Sequence, residues 1–298
     1  MDFKYKCYLQ NVFSVLPRGE ILNYFFQKYG TRALPVSNDS FLDKVELSYN
    51  HYLKFINFNS LEENSHKYYE FGAGWDLIIP VSMGFLGFEV TCIDIRRLIF
   101  NRLISDTLSK FKSNMDHLPF TIDQLDFKHN QPPLDFLKNR LKFNYIAPLD
   151  ARNTKFNPDY FDFVTSTVTF EHIPEQDLYL ILNETYRILK PGGILLLKID
   201  YRDHWAYFDK SISFYNFLTY SEKEWKKYNP SIHYQNRLRH QDYLNIISKT
   251  DFTIMEDDPE LPMLEDLKIL EKLKLNSRFS GYDIKDLGIK GSQIVLKK

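Results

Sequence analysis

Cysteine is almost absent from this 298-residue chain: Cys7 and Cys92 are the only two. Two isolated thiols form neither a disulfide framework nor a zinc pattern, and they suit a reducing compartment. The start, Met1-Asp2-Phe3-Lys4-Tyr5-Lys6, lacks the apolar core of a signal sequence. No apolar run approaches the ~18 residues of a membrane-spanning helix. The chain is therefore expected to be cytoplasmic, with no membrane partner. An excess of either charge is also missing: 38 basic side chains face 39 acidic ones, for a formal net charge of −1. Nothing in that balance favours nucleic acid as a general partner. Internal repeats and low-complexity tracts are absent too. What remains is ordinary soluble-protein composition, 44% hydrophobic and 26% charged, with an unusual 16% of aromatics. The length allows one sizeable domain with insertions, or a domain plus a cap.

Residues 1–66 carry helical patterning and no strong strand, and read as a helical N-terminal cap. One helix is expected from Gly19 and another from Ser40, with Ser40 as its N-cap. From residue 67 strands and helices alternate, which predicts a mostly parallel sheet covered on both faces. Strands are expected at 67–71, 88–94, 144–149, 160–165 and 194–199. Helices are expected over roughly 76–85, 97–111 and 175–190, the last stopped by Pro191-Gly192-Gly193. Residues 112–143 interrupt the alternation as a polar insertion. Residues 201–250 interrupt it again as a helical, aromatic-rich one. Two late apolar runs, 252–255 and 293–296, look like closing strands. The expected architecture is a doubly wound α/β fold, with residues 67–298 as the main domain and 201–250 on the substrate side. In such sheets ligands sit outside the carboxyl ends of the strands. That rule brings Asp94, Asp150, Ser166 and Asp200 to one rim.

The chemistry concentrates in Glu70-Phe71-Gly72-Ala73-Gly74-Trp75, between a strand and a helix, with Asp94 one strand later. Glycines spaced in this way let the backbone turn tightly and approach a ligand. An acid ending the second strand can accept hydrogen bonds from ribose hydroxyls. A dinucleotide fingerprint needs a third glycine where Leu77 stands, and no Gly-Lys-Ser/Thr phosphate loop occurs. Glu70 offers a partner for the ammonium of an amino-acid ligand, so S-adenosylmethionine fits: it has an amino-acid tail, a ribose and an adenine, and no phosphate. Asp94, followed by Ile95, suits the ribose. Asp150, beside Ala151, suits the adenine amine.

These segments resemble successive motifs of the class I S-adenosylmethionine-dependent methyltransferases of small-molecule type: Glu70 to Gly74, Ile93-Asp94 and Leu149-Asp150-Ala151. The run Phe161 to Ser166 followed by Phe170-Glu171-His172-Ile173-Pro174 is similar to the family's fourth strand and loop. Ile188-Leu189-Lys190-Pro191-Gly192-Gly193 is similar to its turn before the fifth strand. The resemblance covers about residues 67–200. It implies a seven-stranded Rossmann-like sheet, S-adenosylmethionine as cofactor, and cofactor contacts from Glu70, Gly72, Ala73, Gly74, Asp94, Ile95, Asp150, Ala151 and Ser166. Two departures stand out. Asp76 takes the place of a third glycine frequent in the family, and the gap between Asp94 and Asp150 is long.

Methyl transfer needs an oriented nucleophile, and a hydroxyl acceptor also needs a general base. The end of strand four, Thr165-Ser166-Thr167, lacks the acid of metal-dependent catechol-type relatives, so no metal is expected. It also lacks the Asn/Asp-Pro-Pro-Tyr of amino-group methylators. His204, just past strand five, is the expected base, with Asp200 or Asp203 orienting it; His172, after strand four, is the second candidate. His51, His66, His117, His129, His233 and His240 show no ligand spacing. The aromatics from Tyr201 to Trp225 suggest a substrate wall, and Gln235-Asn236-Arg237-Leu238-Arg239 suggests a grip on hydroxyls or a phosphate. Together they suggest a small polar acceptor, a sugar or glycan precursor. Two alternatives stay open: an enzyme that cyclises the donor, and a non-catalytic protein that only binds it. The oligomeric state is not legible.

Overall fold

The computed structural model describes residues 2–31, 33–59, 65–123, 125–128 and 131–298. His129 and residues 60–64 lie outside them.

The N-terminal segment forms helices α1 (Phe3–Val15), α2 (Gly19–Phe25) and α3 (Asn38–Phe58), with a π-helical turn at Phe26–Gly30. The N-cap of α3 is Ser37, not Ser40: the Ser37 hydroxyl accepts from the Ser40 amide at 3.2 Å, so the helix starts one turn early. Phe41, Val45 and Phe55 line one face of α3 and are fully buried against the sheet.

Strand β1 (Lys67–Phe71), helix α4 (Ile78–Phe85) and strand β2 (Glu89–Ile93) fall where the alternation places them. Helix α5 (Asn101–Ser113) starts later than expected. Asp94 accepts from the Arg96 amide at 3.0 Å, and this turn holds the chain along the rim before helix can form. The insertion carries α6 (Pro133–Leu141) and is less polar inside than its composition suggests, since Ile122, Leu125, Phe127 and Phe136 are buried. Strand β3 is only Asn144–Ile146. Pro148 has no amide hydrogen to extend the ladder, so Asp150 lies in a turn beyond the strand.

Next come β4 (Phe161–Thr167), α7 (Glu175–Ile188) and β5 (Leu189–Asp200). β5 begins before Pro191-Gly192-Gly193 rather than after it. Leu189 pairs with Phe161, and the register shift before Phe163 absorbs the Pro-Gly-Gly turn. Residues 201–250 are less helical than expected. They hold only α8 (Trp205–Phe208), α9 (Glu222–Trp225), isolated 3-10 turns and one fuller helix, α10 (His240–Ile247). The chain closes through β6 (Thr253–Pro259), α11 (Leu264–Lys272), α12 (Ile284–Gly288) and β7 (Gly291–Lys297).

The seven strands run in the order β3-β2-β1-β4-β5-β7-β6, all parallel except β7. One core lies between the sheet and α3 to α6, and a second lies under α7 and α10. A third cluster joins α1 to the insertion and α11, with Phe3 and Cys7 beside Trp205, Tyr215, Phe217 and Trp225. No helix among the described residues is long and apolar enough to cross a membrane.

Candidate active site

β1 and β4 are neighbours, but their chains leave the sheet to opposite faces, which opens a crevice at their carboxyl ends. A cavity of about 450 Å³ occupies it, a size suited to a nucleoside-sized ligand. Its floor is the turn after β1. Gly72 and Gly74 have φ of +75° and +71°, which only glycine adopts without strain. A Cβ on Gly72 would fall 2.4 Å from the Thr169 hydroxyl, whereas one on Gly74 would meet nothing within 4 Å. Gly74 therefore leaves free space for a ligand's close approach. Asp76, in place of a third glycine, accepts from the Ile78 amide at 3.2 Å and pairs with Lys44 at 2.5 Å. It starts α4 and ties the turn to α3.

Asp94 lies at the cavity wall, buried, with its carboxyl raised above the usual range by burial, against the opposing Arg96 amide. Ile95 and Ala151 also line the wall. Asp150 does so too, but its carboxylate is gripped by Arg152, which holds its pKa down and extends to Asp177 at 2.8 Å. Three expected contacts do not line the cavity. Glu70 is 2% exposed, accepts from the Tyr68 hydroxyl at 3.1 Å, and is pushed up to about 8 by burial. Ala73 packs into the core, and Ser166 is buried within β4.

Sequence spacing does not reveal the roof. Glu20, Asn23 and Gln27 of α2 and its following turn close one side, and Ser231 to Tyr234 close the other. Tyr24 stacks on Phe100 with centroids 4.2 Å apart and lies 5.9 Å from Trp75, so α2 docks on the glycine turn through aromatic rings. Glu20 reaches Arg96 at 3.7 Å across the opening.

The histidines converge. His172 and His204 have ring centroids 4.9 Å apart, and His233 lies 6.0 Å from each. His233 carried no signal in the sequence, because its place depends on the 230s loop folding back onto the turn after β4. The His172 Nδ1 donates to the Tyr234 carbonyl at 2.6 Å, and burial, reinforced by His204, pulls its pKa down to about 4. His172 is therefore a neutral imidazole with its Nε2 lone pair free of the proton. The His204 Nε2 lies 3.4 Å from the Asp200 carboxylate. Asp203 does not orient that ring: its two oxygens accept from the Trp205 amide and the Asn216 side chain.

Most of the expected substrate wall and grip is structural, although Tyr207 stays exposed and Phe208 and Tyr220 are half-buried. Tyr201, Trp205, Tyr215, Phe217 and Trp225 are buried in the cores. Arg239 is fully buried and donates to the carbonyls of Tyr201, Leu287 and Ile289. Arg237 binds the Phe217 and Tyr220 carbonyls and Glu222, and Gln235 binds the Arg202 carbonyl at 2.6 Å. Folding consumes these groups, since so many carbonyls here lie outside helix and strand.

The family model for a methyltransferase domain matches residues 128–197. No curated protein matches the chain. Among solved structures, a protein from Pyrococcus horikoshii is 15% identical, with 92% of this chain and 98% of that one covered and a TM-score of 0.48. An S-adenosylmethionine-dependent methyltransferase from Methanosarcina mazei is 15% identical over 82% of this chain and 96% of that one, with a TM-score of 0.43. Phosphoethanolamine N-methyltransferase 2 of Haemonchus contortus, bound to S-adenosyl-L-methionine, is 16% identical over 92% of this chain and 59% of that one, with a TM-score of 0.44.

Proposed function

We propose that the chain is a class I S-adenosylmethionine-dependent methyltransferase that methylates a hydroxyl of a small polar acceptor, a reading supported by the methyltransferase-domain model that matches residues 128–197. Sugars and glycan precursors are the first class to test. The observation that carries this reading is the single cavity wall on which the glycine turn, Asp94 and His172 meet. When bound, S-adenosylmethionine supplies an already activated methyl group, so the protein must orient the acceptor and handle its proton. Asp94 would hold the ribose, the Gly72–Gly74 turn the amino-acid end, and Asp150 with Ala151 the adenine. The vacant space at Gly74 and the buried Asp94 carboxyl fit that ligand.

On this reading the acceptor enters beneath the roof made by α2 and residues 231–234 and meets the imidazole of His172, behind which the His204 ring stands 4.9 Å away. With its pKa pulled down to about 4, His172 is neutral at pH 7 and a weak base, and it offers the acceptor hydroxyl a hydrogen-bond-accepting nitrogen. The aromatic and arginine motifs do not argue for a sugar, because none of them lines the cavity. The acceptor's polarity is supported instead by Glu20, Asn23 and Gln27 on the roof.

The experiment is product analysis with methyl-labelled donor against sugars, nucleotide sugars and phenols. Label is expected in a hydroxyl-bearing acceptor. Label recovered only in methylthioadenosine would replace transfer with donor cyclisation. In parallel, His204→Ala is expected to lose about 100-fold in turnover with unchanged donor affinity.

A further inference from the structure

Glu171 precedes His172 in the turn after β4 and is 1% exposed. Among the described residues neither of its carboxylate oxygens meets a partner at hydrogen-bond geometry, and the nearby amides of Glu171 and Asp200 only partly offset its burial. Its main chain is secured, since its carbonyl accepts from the Asn236 amide at 2.7 Å. The turn is thus held firmly while its acid is left short of donors. A buried carboxyl short of donors is costly, and such a group calls for a ligand or an ion.

Two imidazoles stand beside it. One ligand atom from each of Glu171, His172 and His204 lies within 4.8 Å of the others. The His172 Nδ1–H is committed to the Tyr234 carbonyl, which fixes the tautomer and leaves Nε2 as a lone-pair donor. The His204 Nε2 has no hydrogen-bond partner, and the Asp200 carboxylate stands 3.4 Å away. Asp200 is itself anchored by the Tyr207 hydroxyl at 2.6 Å and by Arg202 at 3.1 Å. This is a set of two nitrogens and one oxygen, backed by oriented outer partners.

We propose that Glu171, His172 and His204 bind a divalent transition-metal ion just behind the cavity wall, on which His172 is the one ligand of the three. The two imidazoles select zinc, manganese or cobalt over magnesium and calcium, which prefer all-oxygen sites. Metal–ligand distances of about 2.0–2.2 Å require the three atoms to close in, which side-chain rotation supplies. The acid sought at the end of strand four is not missing from the region. It arrives a few residues later, in the turn, where it meets a histidine from the far side of β5. Through the function proposed above, the ion would fix the His172 ring at the cavity wall where the acceptor enters. That role rests on the proposed function; occupancy of the site does not.

The test uses the full-length protein after chelator treatment and exchange. Co²⁺ is titrated with visible absorption as readout, and Zn²⁺ and Mn²⁺ by calorimetry. One equivalent is expected, with a visible cobalt band. Glu171→Gln and His204→Ala are each expected to weaken binding at least 10-fold, with circular dichroism confirming that they fold. Glu171→Gln preserves shape, so it reports the site even if the histidine variant is unstable. Absence of Co²⁺, Zn²⁺ and Mn²⁺ binding by folded wild-type protein, or equal binding by both folded variants, overturns the proposal. Donor affinity measured in the same samples separates the two readings. Lost donor binding with intact Co²⁺ binding sinks the proposed function alone, and the reverse sinks the site alone.

Discussion

At the scale of single residues, a buried acid on the cavity wall contrasts with a buried acid inside the sheet. Asp94 is on the cavity wall, so Asp94→Ala is expected to raise the Kd for S-adenosylmethionine by about 10–100-fold in calorimetry, because two ribose hydrogen bonds to a charged group are lost. Unchanged affinity would remove it from the site. Glu70 sits inside the sheet, and its effect falls on stability. Burial lifts its pKa from 4.5 to about 8, so the folded protein holds a proton that the unfolded chain releases. Its stabilising contribution is therefore complete below about pH 4.5 and lost as pH rises through 8, a change on the order of 4 kcal/mol. Urea unfolding from pH 5 to 8 is expected to show this decline, and Glu70→Gln to flatten it. An equally steep decline in the variant would place the titration elsewhere. Spacing and the family resemblance make Glu70 an expected ligand contact; in the structure its carboxyl accepts from the tyrosine two residues before it, on the same strand face.

At the scale of elements, the turn after β1 and the turn after β4 are pressed together. Thr169 fills the place a Gly72 side chain would need, and Val168 holds φ of +50°, unusual for a β-branched residue and a mark of a functional loop. Gly72→Ala is expected to cost about 2 kcal/mol or more in chemical denaturation, from the positive φ and the clash together. A cost under about 0.5 kcal/mol would mean the two turns separate freely. The alternating apolar segments from 67 to 200 made these elements legible, because strand and helix periods are local properties. The insertion 201–250 was misread because its aromatics pack with α1 and α11, far away in sequence. Its arginines and amides were misread because they satisfy loop carbonyls, whose demand shows only once the loops are placed. His233 was passed over for the same reason, since nothing near it in sequence announces its neighbours.

At the scale of the whole molecule, the N-terminal helices and the insertion form one body over the cavity mouth. Phe3 is 2% exposed and packs on Trp205 and Tyr228 with centroids 5.7 and 5.5 Å apart. Phe3→Ala is expected to cost about 3–5 kcal/mol, read by urea unfolding, although it touches neither turn of the site. Wild-type stability in that variant would show that α1 is not docked. The roof of the cavity joins residues near positions 20–27 with residues near 231–234, and neither segment belongs to the strands that hold the donor. The two sides of the cavity therefore come from separate stretches of chain, tied to each other by the Tyr24–Trp75 ring contact and by the Tyr234 carbonyl on His172. On the proposed function, a lineage could retarget its acceptor at the roof positions outside those ties while the donor side stayed fixed. In the laboratory, grafting those two short segments between relatives is the smallest exchange that should carry acceptor preference with it.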